Sequence, residues 1–187
     1  FSSFISNSTQ GSIWLTANVM RYLQKAQRYI DIHQEVFLEA LVFIASKQEI
    51  NGKFQSDKEA SLENLVDKVQ TDVAFTAFIG ILFEENKKSY PQYISVLHKA
   101  VEYVELNYDK NNLYSLALVT YFMYEVDSPL KYELLQSLLS HIQEISSNEV
   151  FWKEFNATSK DVEINAYCLM ILDHIPELYA EAFMIVQ

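Results

Sequence analysis

Apolar residues recur at helical spacing along almost the whole chain, and this periodicity is the feature that most constrains the fold. Only three glycines and three prolines occur in 187 residues, so folds built from many strands and tight turns are disfavoured. The spacing therefore predicts an all-α protein with eight helices. Their predicted ranges are 12–29, 33–48, 71–86, 91–107, 112–126, 129–146, 161–174 and 176–187.

The predicted helices alternate between two kinds of apolar pattern. Helix 129–146 carries one apolar stripe with polar residues opposite, which is typical of a helix with one face in water. The stripe consists of Leu130, Leu134, Leu135, Leu138, Leu139, Ile142 and Ile145. Apolar side chains surround most of helices 71–86 and 112–126, and the same holds from Val162 to Leu172, so these helices should be buried on nearly all sides.

This alternation predicts two layers of helices. The expected inner helices are 71–86, 112–126 and 161–174, and the expected outer helices are 33–48, 91–107 and 129–146. Similar short strings begin three odd-numbered helices: Trp14–Ala17, Val73–Ala77 and Ile164–Tyr167. Repeated hairpins of roughly 40–50 residues indicate an α/α solenoid or toroid. We treat residues 1–187 as one domain with about four hairpins, a partial ring whose remaining hairpins we expect before residue 1.

The charge of the chain excludes one class of partner. Its formal net charge is −11 and its isoelectric point is near 4.7. Binding to nucleic acid depends on Lys and Arg side chains that replace counterions, so nucleic acid is a poor partner. The longest mainly apolar stretch, Val73–Phe83, is much shorter than the roughly 20 residues that span a bilayer, and we expect no membrane span.

No cluster of side chains specifies a catalytic centre, a metal site or a cofactor. Cys168 lies in an apolar helical stretch and is interpreted as an inert core thiol, since reactive cysteines need exposed, electropositive surroundings. The histidines lack a neighbour at metal-ligand spacing and are interpreted as solvated or structural: His33, His98, His141 and His174. We therefore predict a protein that is not an enzyme.

Three carboxylates at predicted helix starts leave an enzymatic alternative open. Asp72, Asp161 and Glu163 begin helices predicted to be buried, and glycoside hydrolysis requires paired carboxylates. Acidic residues in a first helical turn are also favoured by the helix dipole and the unpaired N–H groups, and we prefer this capping interpretation. A long polar stretch follows Gln48–Phe54 and extends to Gln70; such insertions in compact domains are often functional.

Seven short strings resemble, in order and spacing, the thioester-containing domain of the α2-macroglobulin/complement family, including the insect thioester proteins. The strings are Gly11–Ala17, Tyr29–Ile32, Gln48–Phe54, Val73–Phe78, Tyr114–Leu118, Ser128–Lys131 and Asp161–Tyr167. Each string is weak alone, but together they cover essentially the whole chain. The resemblance implies the later part of an α/α toroid in a secreted, extracellular protein of innate immunity, acting as a complement-like factor or a protease inhibitor.

The same resemblance implies a chemistry and a set of partners. Active members carry a Cys–Gln thioester in a Gly-Cys-Gly-Glu-Gln motif, which acylates amines or hydroxyls on microbial surfaces or proteases. That motif is absent from these 187 residues, and we expect it upstream if the parent has one. The other implied partners are further domains of the same parent protein. A scaffold or recognition module without covalent chemistry is the alternative, ahead of an α/α-toroid hydrolase or cyclase.

A departure from the family pattern concerns the acyl-relay histidine. In hydroxyl-directed members a histidine follows the Gly-x-Phe-Gln segment by a few residues. Here Gly52–Gln55 is followed by no histidine as far as Leu65, and the matching place falls near Ser61 or Leu62. We expect the relay chemistry to be missing.

Two sequons for N-linked glycan lie in polar connections. Asn7-Ser8-Thr9 and Asn156-Ala157-Thr158 both fit the Asn-x-Ser/Thr pattern, which favours a secreted protein. We predict glycans at Asn7 and Asn156.

Overall fold

The computed structural model describes residues 11–55, 71–146, 149–152 and 158–175. The chain divides into two compact units, Phe1–Tyr103 and Val104–Gln187, and each is described by itself. The described residues contain seven α-helices, one 3₁₀ turn and two short strands. They are α1 Ile13–Ala26, α2 Gln34–Ala45, α3 Asp72–Asn86, the 3₁₀ turn Pro91–Tyr93, α4 Ile94–Asn107, α5 Leu113–Glu125, α6 Lys131–Leu139, β1 Gln143–Ser146, β2 Glu149–Phe151 and α7 Thr158–Asp173.

In the first unit, α1 packs on both α2 and α3. The α3 helix is almost wholly buried, with ten consecutive buried residues from Ala74 to Phe83. The α2 helix instead buries one face and exposes Leu38 and Val42 on the other. The predicted difference between a buried third helix and a one-sided second helix is therefore confirmed.

In the second unit, α5 packs on α6 and α7. Twelve of the thirteen residues of α5 are buried, as its all-round apolar pattern predicted. The α6 helix buries Leu134 and Leu138, while Leu135 and Leu139 are half-buried. One-sided burial of α6 is therefore confirmed.

The prediction that helix 129–146 is continuous is wrong. The α6 helix ends at Leu139, and residues 143–146 form β1, which pairs antiparallel with β2 in the register Gln143↔Phe151. At the end of α6, two polar side chains bind a carbonyl oxygen of its last turn. The Ser140 hydroxyl donates to Ser137 O at 2.6 Å, and His141 Nδ1 lies 2.8 Å from the same oxygen; such local bonds compete with a continuing helix.

The prediction that apolar contacts surround the seventh helix is also wrong. Val162 is 70% exposed and Met170 is 41% exposed, whereas Ile164, Cys168 and Ile171 are buried. The buried residues follow a spacing of three and four, so α7 has one buried face and one face in water. Hydrophobic side chains on an exposed helix face are common, and their type alone does not establish burial. The predicted helix 176–187 lies outside the described residues.

Candidate functional site

The connection from α2 to α3 begins with a compact loop, Gln48–Gln55, which we call the anchor loop. Two backbone hydrogen bonds close the loop: Gly52 N donates to Glu49 O at 3.0 Å, and Glu49 N donates to Lys53 O at 2.9 Å. The Gln48 side-chain amide donates to Gly52 O at 3.1 Å and to Val96 O of α4 at 2.8 Å. One glutamine side chain therefore ties the turn both to itself and to a neighbouring helix.

Glycine is required at position 52 for two reasons. Its φ of +92° is a conformation that other residues rarely adopt. A Cβ at this position would lie 2.0 Å from the carbonyl oxygen of Lys99 and 2.6 Å from its carbonyl carbon. The turn therefore approaches the backbone of α4 more closely than any side chain permits.

Lys53 connects the anchor loop to the start of α3. Its Nζ lies 3.3 Å from Glu49 Oε1 and 3.3 Å from Asp72 Oδ2. Hydrogen bonds to Glu49 and then to Asp72 raise the pKa of Lys53 above its ordinary value. The side chain therefore stays an ammonium at physiological pH. Burial likewise raises the pKa of the nearby Tyr103, with the negative charge of Asp72 adding to it, so the phenol stays neutral.

Phe54 fixes the end of the anchor loop in the core of the first unit. Its side chain is fully buried and its ring stacks on Phe83, with centroids 6.3 Å apart. Its backbone N–H donates to Thr76 Oγ1 at 2.9 Å, and the Thr76 hydroxyl in turn donates to Asp72 O at 2.6 Å. Both the ring and the amide therefore hold Phe54 against α3.

The first turn of α3 completes this site. Thr71 is the N-cap, and its hydroxyl oxygen accepts from Ala74 N at 3.1 Å. Asp72 follows in the first turn, where a carboxylate is favoured by the helix dipole. Its carboxylate is held by Lys53, so Asp72 has the structural role that the capping interpretation gave it.

The other two candidate carboxylates lie in α7. Glu163 Oε2 accepts a hydrogen bond from Tyr114 OH at 3.0 Å. Burial is the largest of the causes that raise the pKa of Tyr114, so its hydroxyl stays a donor to Glu163. The backbone oxygen of Asp161 accepts from Asn165. The carboxylates of Asp72 and Glu163 thus each have a partner within their own unit.

The histidines occupy the places that their interpretation implied. His33 and His98 are exposed. His141 bonds to the end of α6, and His174 Nε2 lies 3.1 Å from Glu125 Oε1. Cys168 is 1% exposed, and burial raises the pKa of its thiol, which agrees with an inert core residue. Ser61, Leu62 and the two sequon asparagines Asn7 and Asn156 lie outside the described residues.

Sequence reasoning missed the two side chains that hold the anchor loop. Gln48 was noted only as the first residue of a familiar string, and Thr76 only as part of the repeated Val73–Ala77 string. The repeat was a usable signal, because Asn165 occupies the corresponding place in Ile164–Tyr167 and also bonds to the backbone of an aromatic residue upstream.

A family model described as "A-macroglobulin TED domain" matches residues 1–179. The chain belongs to the A-macroglobulin TED domain family. The fold class predicted from the sequence, an all-α toroid of helical hairpins, is the fold of this family.

Named relatives of this TED chain come from an insect, a bird and a mammal. Thioester-containing protein 1 allele R1 of Anopheles gambiae is 30% identical over 87% of the chain and 12% of the relative. Ovostatin of Gallus gallus is 28% identical over 94% of the chain and 13% of the relative. Alpha-2-macroglobulin-like protein 1 of Mus musculus is 25% identical over 80% of the chain and 10% of the relative. The chain thus spans about an eighth of the length of these curated relatives.

The described part of this TED chain lacks two features, a membrane-spanning helix and a metal-binding cluster. No described helix is both long enough and apolar enough to cross a membrane. Within the same residues, no group of three or more His, Cys, Asp or Glu side chains is placed to hold a metal ion.

Proposed function

We propose that this TED chain is part of a secreted, extracellular innate-immune protein of the complement-like or α2-macroglobulin-like type. In this proposal the domain presents a thioester, contributed by sequence outside these 187 residues, for covalent attachment to a target. The observation that carries the proposal is the match of residues 1–179 to the TED family, together with relatives named as thioester-containing proteins.

The proposed partners follow from the proposed role. Further domains of the parent hold the TED domain, and the covalent targets are microbial surfaces or proteases. The net charge of −11 argues against nucleic acid. The protein acts once per thioester and is not an enzyme, and it needs no metal or cofactor.

The chemistry of transfer favours amines. An amine nitrogen attacks the thioester carbonyl, the C–S bond breaks, the cysteine leaves as a thiolate, and an amide remains after the nitrogen gives up a proton. A hydroxyl is barely ionised at neutral pH and needs a base to attack. Because no histidine follows Gly52–Gln55 in the sequence as far as Leu65, we propose that the parent lacks a histidine relay and prefers amines.

Thiol release from the full-length parent tests this function. Methylamine should release one thiol per thioester and add one methylamide to the glutamine side chain of a Gly-Cys-Gly-Glu-Gln sequence, which peptide mass spectrometry locates. A parent that has no such sequence and releases no thiol would reject the covalent function.

A non-covalent scaffold or recognition module is the second candidate. It is favoured by the absence of a histidine from the stretch that follows Gln55 as far as Leu65. The same methylamine experiment discriminates the two, because a scaffold releases no thiol. Reading the sequence preceding Phe1 in the parent gives an independent answer.

A separate proposal concerns N-linked glycosylation of the secreted parent. We propose N-linked glycans at Asn7 and Asn156, since both lie in Asn-x-Ser/Thr sequons. Mass spectrometry of the parent secreted from eukaryotic cells, before and after glycosidase treatment, measures occupancy. Unmodified asparagine at both positions would reject this proposal.

A further inference from the structure

Asn51 and Gly52 form the only Asn-Gly pair in the 187 residues. Asn51 is exposed in the anchor loop, whereas Gly52 is buried against α4. An asparagine that precedes glycine is especially prone to spontaneous deamidation, because glycine has no side chain to shield its backbone nitrogen. The pair therefore combines a reactive side-chain amide with a nucleophile in the adjoining backbone.

The deamidation reaction needs no partner other than water. The backbone nitrogen of Gly52 attacks Cγ of Asn51, a C–N bond forms, and the bond from Cγ to Nδ2 breaks. Ammonia leaves with the proton that Gly52 N gives up, and a five-membered succinimide ring remains. Water then opens the ring at one carbonyl to give aspartate, or at the other to give isoaspartate, in which the main chain runs through the former side chain.

Both reacting groups are held by hydrogen bonds in the attached loop. Gly52 N donates to Glu49 O at 3.0 Å, which favours the protonated nitrogen over the deprotonated form that attacks. Asn51 Oδ1 accepts from Lys53 N at 3.0 Å, so the side-chain amide is fixed as well. A nucleophile and a carbonyl that are fixed out of alignment react slowly.

The backbone around the pair also has little room to rearrange. Ring closure draws Gly52 N towards Cγ of Asn51, yet even a Cβ added to Gly52 would lie 2.0 Å from Lys99 O. Gln48 holds the same turn by donating to Gly52 O at 3.1 Å and to Val96 O at 2.8 Å. Ring closure therefore requires the loop to leave α4, a local opening that takes less free energy than global unfolding.

We propose that Asn51 is a site of spontaneous deamidation and isoaspartate formation, controlled by the attachment of the anchor loop to α4. While the loop is attached, Gly52 N stays bonded to Glu49 and the reaction is slow. Once the loop detaches, Asn51 reacts as it does in an unfolded peptide. Isoaspartate lengthens the main chain inside the turn, so a loop that has reacted no longer fits its place on α4.

A comparison of the folded protein with its own peptide tests this proposal. The full-length parent and a synthetic peptide of residues 48–55 are incubated at neutral pH. Mass spectrometry follows deamidation at Asn51, and electron-transfer fragmentation identifies isoaspartate. We expect a rate constant in the parent that is lower than in the peptide by about tenfold or more. Equal rate constants would overturn control by the loop, and a peptide that does not react would overturn the reactivity of the pair.

Three variants of the parent separate loop detachment from loss of stability. Gln48→Met keeps the length of the side chain and removes both of its donated bonds, so Asn51 should deamidate about fivefold faster or more. Ile13→Val is the matched control, because it removes a buried carbon in α1, outside the loop, and should keep the wild-type rate. Asn51→Gln keeps an amide but needs a six-membered ring, and it should abolish the mass gain.

Each variant has a result that contradicts the proposal. A wild-type rate in Gln48→Met would show that the bonds to α4 do not control the reaction. An equal acceleration in Ile13→Val would show that only global unfolding exposes the pair. A mass gain that persists in Asn51→Gln would assign the modification to another residue of the same peptide.

Discussion

Substitution of Gly52 by alanine should destabilise the first unit strongly. The added Cβ would meet the backbone of Lys99 at 2.0 Å, and a backbone carbonyl cannot move aside as a flexible side-chain end can. The φ of +92° is also unfavourable for alanine. The loop must therefore leave its position on α4 or distort.

The size of the effect follows from two costs, the backbone strain at position 52 and the loss of a loop contact with α4. Holding a residue other than glycine in a sparsely populated backbone conformation costs about 1–3 kcal/mol. Moving the loop away from α4 also sacrifices the bond from Gln48 to Val96 O, which is worth about 0.5–1.5 kcal/mol. We expect the free energy of unfolding of the first unit to fall by about 1.5–4.5 kcal/mol.

Urea unfolding followed by fluorescence in a Trp152→Phe background measures this change, because the remaining tryptophan, Trp14, lies in α1 of the same unit. Ile50→Ala is the matched control, because Ile50 lies in the same loop and is 98% exposed. Its substitution should change the free energy of unfolding by less than about 0.5 kcal/mol. If Gly52→Ala is as stable as Ile50→Ala, the described contact between the loop and α4 is wrong.

Two further predictions concern the second unit. Leu134→Ala should lower the free energy of unfolding by about 2–5 kcal/mol because Leu134 is fully buried, and Leu135→Ala should lower it clearly less because Leu135 is half-buried. Urea unfolding followed by Trp152 fluorescence in a Trp14→Phe background compares the two variants, and equal losses would contradict the one-sided packing of α6. Cys168 should resist maleimide at pH 8 in native protein and react in denaturant, since burial raises the pKa of its thiol; peptide mass spectrometry decides, and rapid native labelling would contradict the burial.

The main pattern of the fold could be predicted from the sequence because a helix that is buried on all sides is apolar at most of its positions. The α3 and α5 helices have few polar positions, and both are buried as expected. The apolar pattern misleads for α7, where Val162 and Met170 are apolar but exposed. The sequence around an exposed apolar residue does not distinguish it from a core residue.

The end of α6 was missed for a different reason. Ile142 and Ile145 continue the helical spacing of the leucines before them, so the apolar pattern predicts more helix. The strand itself, Gln143–Ser146, has one apolar residue, and so short a segment has no periodicity that separates strand from helix. What decides the structure is the pairing of β1 with β2, which is a contact beyond the range of local periodicity.

The candidate site was predictable only in part. The string Gly52–Gln55 was recognised from the sequence, and the structure gives a physical reason for its glycine and its phenylalanine. The partners of that string were not predictable from spacing, because Thr76 lies 22 positions after Phe54 and Val96 lies 48 positions after Gln48. The repeated strings mark the position of Thr76, but the backbone group that it binds depends on tertiary packing that no local pattern encodes.

The most direct test of the account is a comparison of nucleophiles on the full-length parent. After proteolytic activation, radiolabelled methylamine and radiolabelled glycerol are offered separately at equal concentration and neutral pH, and covalent label per released thiol is counted. Because no histidine follows Gly52–Gln55 as far as Leu65, the account predicts ready incorporation of methylamine and little incorporation of glycerol. Incorporation of glycerol that rivals that of methylamine would contradict it.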